Sequence, residues 1–244
     1  MNIVIDIGNT FIKAAIFDKQ KIVWQIKTVP SEFLDKLNWA LINYPEIDNL
    51  LYSATGKLMS ETLDYFNNNF NVIKFDHQSP LPFNNLYNTP QTLGLDRIAL
   101  VAAANKLYHE KNVLIIDAGT CITYDLITSG QNYVGGNISP GIDMRFKALH
   151  DYTAKLPRLK LEEPMSYPLG KNTKDAILNG VLQGVVFEID KNIERYISDY
   201  KDLTVILTGG DQLYLSTQLK NSIFANSNFQ LVGLNAILEF LLND

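Results

Sequence analysis

The chain has 244 residues, 46% of them apolar and 19% charged, with a net charge of −5. That length suits one large domain or two small ones, with apolar material for two modest cores. The acidic balance offers no basic footprint for nucleic acid, and no apolar run approaches the roughly 20 residues that span a bilayer. Asp6 interrupts the N-terminal apolar run at once, so no signal peptide is expected. The single cysteine, Cys121, has no internal partner and points to a reducing compartment. A cytoplasmic protein is expected.

The first apolar run, Ile3 to Ile5, reads as a buried strand that delivers Asp6 and Gly8 into a tight turn with Asn9 and Thr10. A second strand pattern runs from Phe11 to Phe17 and a third from Lys21 to Lys27. A glycine turn lets backbone N–H groups approach phosphate oxygens, and a carboxylate there can hold Mg²⁺ directly or through its waters. By itself the pattern is also that of an ordinary hairpin. Ser31 is a candidate N-cap for a helix with Phe33, Leu34, Leu37 and Leu41 at helical spacing, stopped by Pro45. Trp24 and Trp39 fall in the apolar phase of their elements and are assigned to the core. A short strand at Leu50 to Ser53 and a helix at Ser60 to Phe66 complete the first half.

His77 to Thr92 holds three prolines and reads as an ordered loop or lid. Gly94-Leu95-Asp96-Arg97 then opens a helix that runs to Tyr108. Asp96 in a first helical turn complements the helix dipole, with Arg97 as a surface charge. The sharper reading is a substrate clamp: Asp96 accepts a hydroxyl proton, and Arg97 neutralises an anion.

Val113 to Ile116 leads into Asp117, Gly119 and Thr120, and a second strand runs from Cys121 to Ile127. This repeats the opening pattern and argues for two related halves, divided here as 1–111 and 112–244. Gly135 to Gly141 reads as a glycine-rich turn before an amphipathic helix with Met144, Phe146 and Leu149. Residues 153–173 read as a loop. A long helix from Lys174 to about Tyr200 carries Ile177, Val181, Val185, Ile189, Ile193 and Ile197 as an apolar stripe toward a core or a partner helix. A third glycine turn, Thr208-Gly209-Gly210-Asp211, follows the strand Thr204 to Leu207, and Leu234 to Leu242 forms a terminal helix. His77, His109 and His150 are scattered and suggest no metal site.

Three such turns in this order resemble the acetate and sugar kinase/Hsp70/actin superfamily. That implies an α/β fold of two ribonuclease H-like domains, built from duplicated βββαβα units around a nucleotide cleft. Further marks are Tyr87 with Pro90, Gly94-x-Asp96-Arg97, Gly135-Gly136-x-Ile138-x-Pro140-Gly141 and Gly170-x-Asn172-Thr173. With the glycine turns, these resemble the type III pantothenate kinase family over nearly the full chain. The resemblance implies ATP phosphates on the turn from Asp6 to Lys13, including Gly8, Asn9 and Thr10, with Asp6 serving Mg²⁺. It implies an ATP contact from Thr120 and K⁺ or NH₄⁺ at Asp117. It implies a pantothenate pocket of Tyr87, Gly94, Leu95, Asp96, Arg97 and Thr173, with Asp96 as catalytic base. Leu95 stands where the family often has Ala, and Thr89-Pro90 where it has Asn-Pro. A homodimer is implied, with the long helix as its element. The alternatives are a non-catalytic regulator of the same fold and a small kinase acting on another hydroxy compound. The presence of Asp6, Asp96 and Asp117 weighs against the first.

Overall fold

The structure is a computed structural model that describes residues 1–54, 56, 60–161 and 169–243. In chain order the elements are β1 (Asn2–Ile7), β2 (Ile12–Asp18), β3 (Lys21–Thr28), α1 (Pro30–Asn43), β4 (Asn49–Ala54), α2 (Ser60–Asn69), β5 (Asn71–Lys74) and β6 (Asn84–Asn85). A single 3₁₀ turn at Pro90–Thr92 precedes α3 (Leu95–Leu107). Then come β7 (Val113–Ala118), β8 (Cys121–Ile127), β9 (Asn132–Pro140), α4 (Ile142–Asp151), α5 (Thr173–Asp199), β10 (Thr204–Thr208), α6 (Gln212–Ser216), β11 (Phe224–Ala225) and α7 (Phe229–Asn243). The chain divides into two compact units, Met1–His109 with Asn228–Asp244, and Glu110–Ser227.

The first unit is built on a sheet of order β3-β2-β1-β4-β5, with β1 antiparallel to β2 and parallel to β4. β1 lies mid-sheet, so Ile3, Val4, Ile5 and Ile7 are buried on both faces, which is why it reads as a continuous apolar run. Phe33, Leu37 and Ala40 of α1 recur at helical spacing and pack on Ile3, Ile5 and Ile7. Burying a side chain of the size of Phe33 or Leu37 contributes about 1.5–3 kcal/mol. Helix α1 starts with Pro30 at its first turn and Val29 as N-cap, without a side-chain cap, so Ser31 does not cap it. Trp24 packs against this core, but Trp39 is 58% exposed. Two residues past Leu37 at about 100° each, it lies on the outer side of the helix.

Helix α7 belongs to this unit, so the second half as divided at 111/112 loses its last helix. Its buried Leu231, Leu234, Ile237 and Leu238 require a second apolar surface, and α7 finds it on α3 and β1. A Cβ on Gly233 would stand 1.7 Å from the Ala99 carbonyl oxygen, so only glycine permits this approach of the two helices.

The second unit repeats the arrangement: within it the strand order is β9-β8-β7-β10-β11, again with the first strand antiparallel to the second and parallel to the fourth. Both second strands carry a register shift at the same place, between Ile16 and Phe17 and between Leu126 and Ile127. The expected glycine turn at Gly135–Gly141 is instead the strand β9, which pairs with β8 through Pro140. Its glycines sit beside that bulge, and Gly135 takes φ 124°. On α5, Ile177, Val181, Val185, Ile189 and Ile193 are buried in the unit's own core. The stripe expected to form a dimer is therefore spent inside the unit, and only Ile197 of the six is exposed. Of the expected 153–173 loop, residues 162–168 lie outside the described residues.

Candidate active site

Sheet register assembles the first group. Asp6 is opposite Lys13 on β2 and Ser53 on β4. Cross-strand partners project from the same face of a sheet, so the three side chains form one row across three strands. Ser53 Oγ donates to Asp6 Oδ1 at 2.9 Å. Lys13 Nζ donates to Gln230 Oε1 on α7 at 2.9 Å, so Lys13 does not simply point to solvent. Burial raises the Asp6 acid above the usual carboxylate range; hydrogen bonds from Ser53 and Gln230 and the charge of Lys13 oppose this, while the charge of Asp96 adds to it.

Beyond Asp6 the chain turns through Gly8, whose N–H donates to the Phe11 carbonyl at 3.0 Å. Asn9, Thr10 and Phe11 are exposed at its tip. Gly56, past the end of β4, donates its N–H to the Ile7 carbonyl at 3.0 Å. A Cβ there would meet the Gly8 carbonyl oxygen at 2.6 Å. Glycine at 56 is what lets two backbone segments close beside the turn.

Gly94 is the N-cap of α3. A Cβ on it would lie 2.3 Å from Asp96 Oδ1, so glycine makes room for the carboxylate. Asp96 Oδ1 accepts from the Arg97 N–H at 2.8 Å while the residue stays exposed. Arg97 is only 5% exposed, its guanidinium 5.7 Å from the Tyr87 ring centroid. That is not a solvated surface charge. Tyr87 is held in turn by its N–H donating to Asn85 Oδ1 at 3.0 Å. Leu95 is buried and faces the core.

The second unit holds the second carboxylate turn. Asp117 is opposite Thr123 on β8 and Thr208 on β10. The Thr123 hydroxyl is buried with no hydrogen-bond partner. Gly119 N–H donates to the Cys121 carbonyl at 3.0 Å and Gly141 N–H to the Thr120 carbonyl at 3.1 Å. Thr120 is exposed at the turn. Gly209 takes φ 99°, and a Cβ there would lie 2.4 Å from Asp117 Oδ1. Burial raises the acid of Asp211, which follows this turn, and the charge of Asp143 adds to it. Thr173 is the first residue of α5, next to the N-cap Asn172, whose side chain accepts from the Asp175 N–H.

The structure thus sets Asp6 opposite Lys13 in the first unit, puts Asp96 at the start of α3 of the same unit, pairs Tyr87 with Arg97 there, and puts Asp117 and Thr120 on one turn of the second. Sequence reading missed Ser53, Gln230 and Gly56. It also missed Glu188 of α5, which accepts from Tyr124, Ser139 and Arg145. Those hydrogen bonds outweigh the opposing effect of burial and hold the Glu188 acid below its usual range. Among the described residues no cluster of three or more His, Cys, Asp or Glu could hold a metal ion.

Comparison with known proteins agrees with these marks. Residues 2–195 match the model of a family described as type III pantothenate kinase. A type III pantothenate kinase of Christiangramia forsetii is 48% identical, over 98% of each chain. Among solved structures, a protein from Campylobacter jejuni described as a Baf family transcriptional activator superposes with a TM-score of 0.63 at 24% identity, over 99% of this chain and 100% of that one. A protein from Listeria monocytogenes described as an N-acetylmannosamine kinase gives 0.55 at 11%, over 98% and 99%. At such identities the two structures speak for the fold alone, that of the sugar kinases. The matched sequence runs through both carboxylate turns and the Gly94–Arg97 helix start, and by that match the chain belongs to the type III pantothenate kinase family.

Proposed function

We propose that the chain transfers the γ-phosphoryl group of ATP to the primary alcohol of pantothenate, the first step of coenzyme A synthesis, with the groups of the first unit carrying the chemistry. One observation carries the reading: the match to the type III pantothenate kinase family runs through the Asp6 turn and the Gly94–Arg97 helix start. A carboxylate for the alcohol and a carboxylate for a cation then serve one substrate pair.

Phosphoryl transfer passes through a loose transition state, so positioning and charge neutralisation provide most of the acceleration. The turn after Gly8 receives phosphate oxygens on the backbone N–H groups of Asn9 and Thr10, and Lys13 adds a positive charge. Asp96 orients the alcohol and accepts its proton late. Arg97, buried against Tyr87, offers a fixed fork to an anionic oxygen of the substrate. Gly94 opens the helix that carries Asp96 and Arg97; for Leu95, Thr120 and Thr173 the only support is the family resemblance.

A carboxylate beside the proposed phosphate turn fits a divalent cation, and Asp6 is the residue that would hold Mg²⁺. Its chemistry there is to neutralise charge on the phosphate oxygens. Asp117 would hold K⁺ or NH₄⁺; the unpartnered hydroxyl of Thr123 directly opposite fits an oxygen-liganded cation. A homodimer in the cytoplasm is proposed from the family resemblance, with exposed Phe187 and Ile197 on α5 as apolar contacts.

The test is ADP release by the purified protein with pantothenate beside a panel of sugars and hydroxy acids. ADP release with pantothenate alone is expected, falling sharply in a sodium-only buffer. Turnover of another alcohol in preference would favour the small-kinase alternative. No turnover of any alcohol would favour the regulator.

A further inference from the structure

The segment between β5 and α3 is pinned at both ends. Phe75, fully buried, donates its N–H to the Tyr52 carbonyl of β4 at 2.9 Å. A tight turn follows: the Asp76 N–H donates to Ser79 Oγ at 3.1 Å, and the Gln78 N–H to Asp76 Oδ1 at 3.0 Å. His77 stands in this turn, and its Nε2 lies 2.8 Å from the Leu93 carbonyl oxygen, 16 residues on. A carbonyl only accepts, so the ring nitrogen carries the proton and donates. Leu93 is 1% exposed and directly precedes Gly94, the N-cap of α3. The helix ladder opens one residue later, with the Ile98 N–H donating to the Gly94 carbonyl at 3.1 Å, and the Arg97 N–H goes to Asp96 Oδ1 at 2.8 Å. The last carbonyl before the helix is thus taken by a side chain from the far end of the segment.

We infer that His77 is a positioning residue for Asp96, acting through the Leu93–Gly94 peptide unit. The inference rests on the reading that Asp96 serves the alcohol. A peptide unit is planar, so the bond that fixes the Leu93 carbonyl also fixes the Gly94 N–H and Cα. The Asp96 carboxylate is packed against that Cα: a Cβ on Gly94 would lie 2.3 Å from Asp96 Oδ1. A rotation of the unit would therefore displace the carboxylate. Phe75, the His77 turn, the Leu93 carbonyl and Gly94 form one chain of contacts from β4 to the proposed base. Asn105 of α3 holds the middle of the same segment, donating to the Pro82 carbonyl at 2.8 Å. His77 is the clasp next to the helix start.

This role is separable from general support of the segment. His77→Leu keeps bulk and loses the donor, and kcat with ATP and pantothenate should fall about 10-fold. MgADP affinity, measured by calorimetry, should not change, because the Gly8 turn is untouched. His77→Gln keeps an N–H donor on a long side chain and should restore most of the lost kcat. His77→Asn, polar but too short to reach, should behave like His77→Leu and gives the same comparison should the leucine variant fail to fold. In an Asp96→Asn background the loss of the clasp should slow turnover no further. An unchanged kcat without the donor, an equal loss in His77→Gln, the same loss in the Asp96→Asn background, or MgADP affinity weakened as much as kcat would each overturn the inference. A parent-like rate in Asp96→Asn itself would instead overturn the reading of Asp96 beneath it, and the role of His77 with it.

Discussion

Asp6 and Asp117 occupy the same place in two copies of one framework, and their neighbours differ. Each is the next-to-last residue of the first strand, opposite a hydroxyl on the parallel strand, Ser53 or Thr208. In each copy the residue three places past that hydroxyl donates its N–H to the carbonyl after the carboxylate: Gly56 to Ile7 and Asp211 to Ala118, both at 3.0 Å. On the antiparallel strand, however, the first copy has Lys13 and the second Thr123. The turns differ too, closing from Gly8 to Phe11 in one and from Gly119 to Cys121 in the other. The backbone fixes where a carboxylate stands, and the opposite side chain fixes what it can serve. A carboxylate with an ammonium suits a metal-phosphate pair. A carboxylate with two hydroxyls suits a bare cation with little charge.

The largest expected break between the copies is at Asp96, which in the first unit acts on Asp6. Asp96→Asn keeps an oxygen for the Arg97 N–H and loses the proposed base. Turnover should fall about 10²–10⁴-fold with an unchanged circular dichroism spectrum. A rate near that of the parent chain would remove Asp96 from the chemistry. Next in size is the backbone closure behind Asp117. Gly209→Ala puts a Cβ at φ 99° and within 2.4 Å of Ala118 O and Asp117 Oδ1, and should cost about 3 kcal/mol or more in urea unfolding. Gly210→Ala, with open space around it, should stay within about 0.5 kcal/mol. Equal costs for the two neighbours would mean that this turn is not held as described.

The two carboxylate turns were legible in the sequence because strand, Asp and Gly follow within eight residues, and the repeat made each support the other. The helix start at Gly94 was legible for the same local reason. Ser53 and Gln230 were not, because they reach Asp6 through sheet register and through a helix returning from the chain's far end. Neither leaves a local pattern. Gly135 and Gly136 misled in the opposite way: glycine marks turns, but here it serves a bulged strand. Of the two alternatives the α5 stripe left open, a core or a partner helix, the unit's own core takes five of its six residues. Periodicity shows that a face is buried and is silent on what buries it. Trp39 shows the converse, a large apolar residue on an outer helix face.

The smallest effect distinguishes the two copies by what the first one gives up for its site. Burial is the main cause that raises the Asp6 acid. A group whose acid is raised on folding stabilises fully below its unfolded value, about pH 3.9. That contribution is lost as pH rises through the higher folded value. At neutral pH the ionised Asp6 therefore weighs against the fold. Asp6→Asn, which still accepts from Ser53, should raise stability by about 1 kcal/mol at pH 7–8 while abolishing Mg²⁺-dependent turnover. The gain should shrink as pH falls and vanish below about pH 4. Thermal unfolding of both proteins across that range reads it directly. A loss of stability at neutral pH would mean that Ser53, Gln230 and Lys13 hold the charged carboxylate more strongly than burial opposes it. The row would then be a folding element rather than a site kept at the fold's expense.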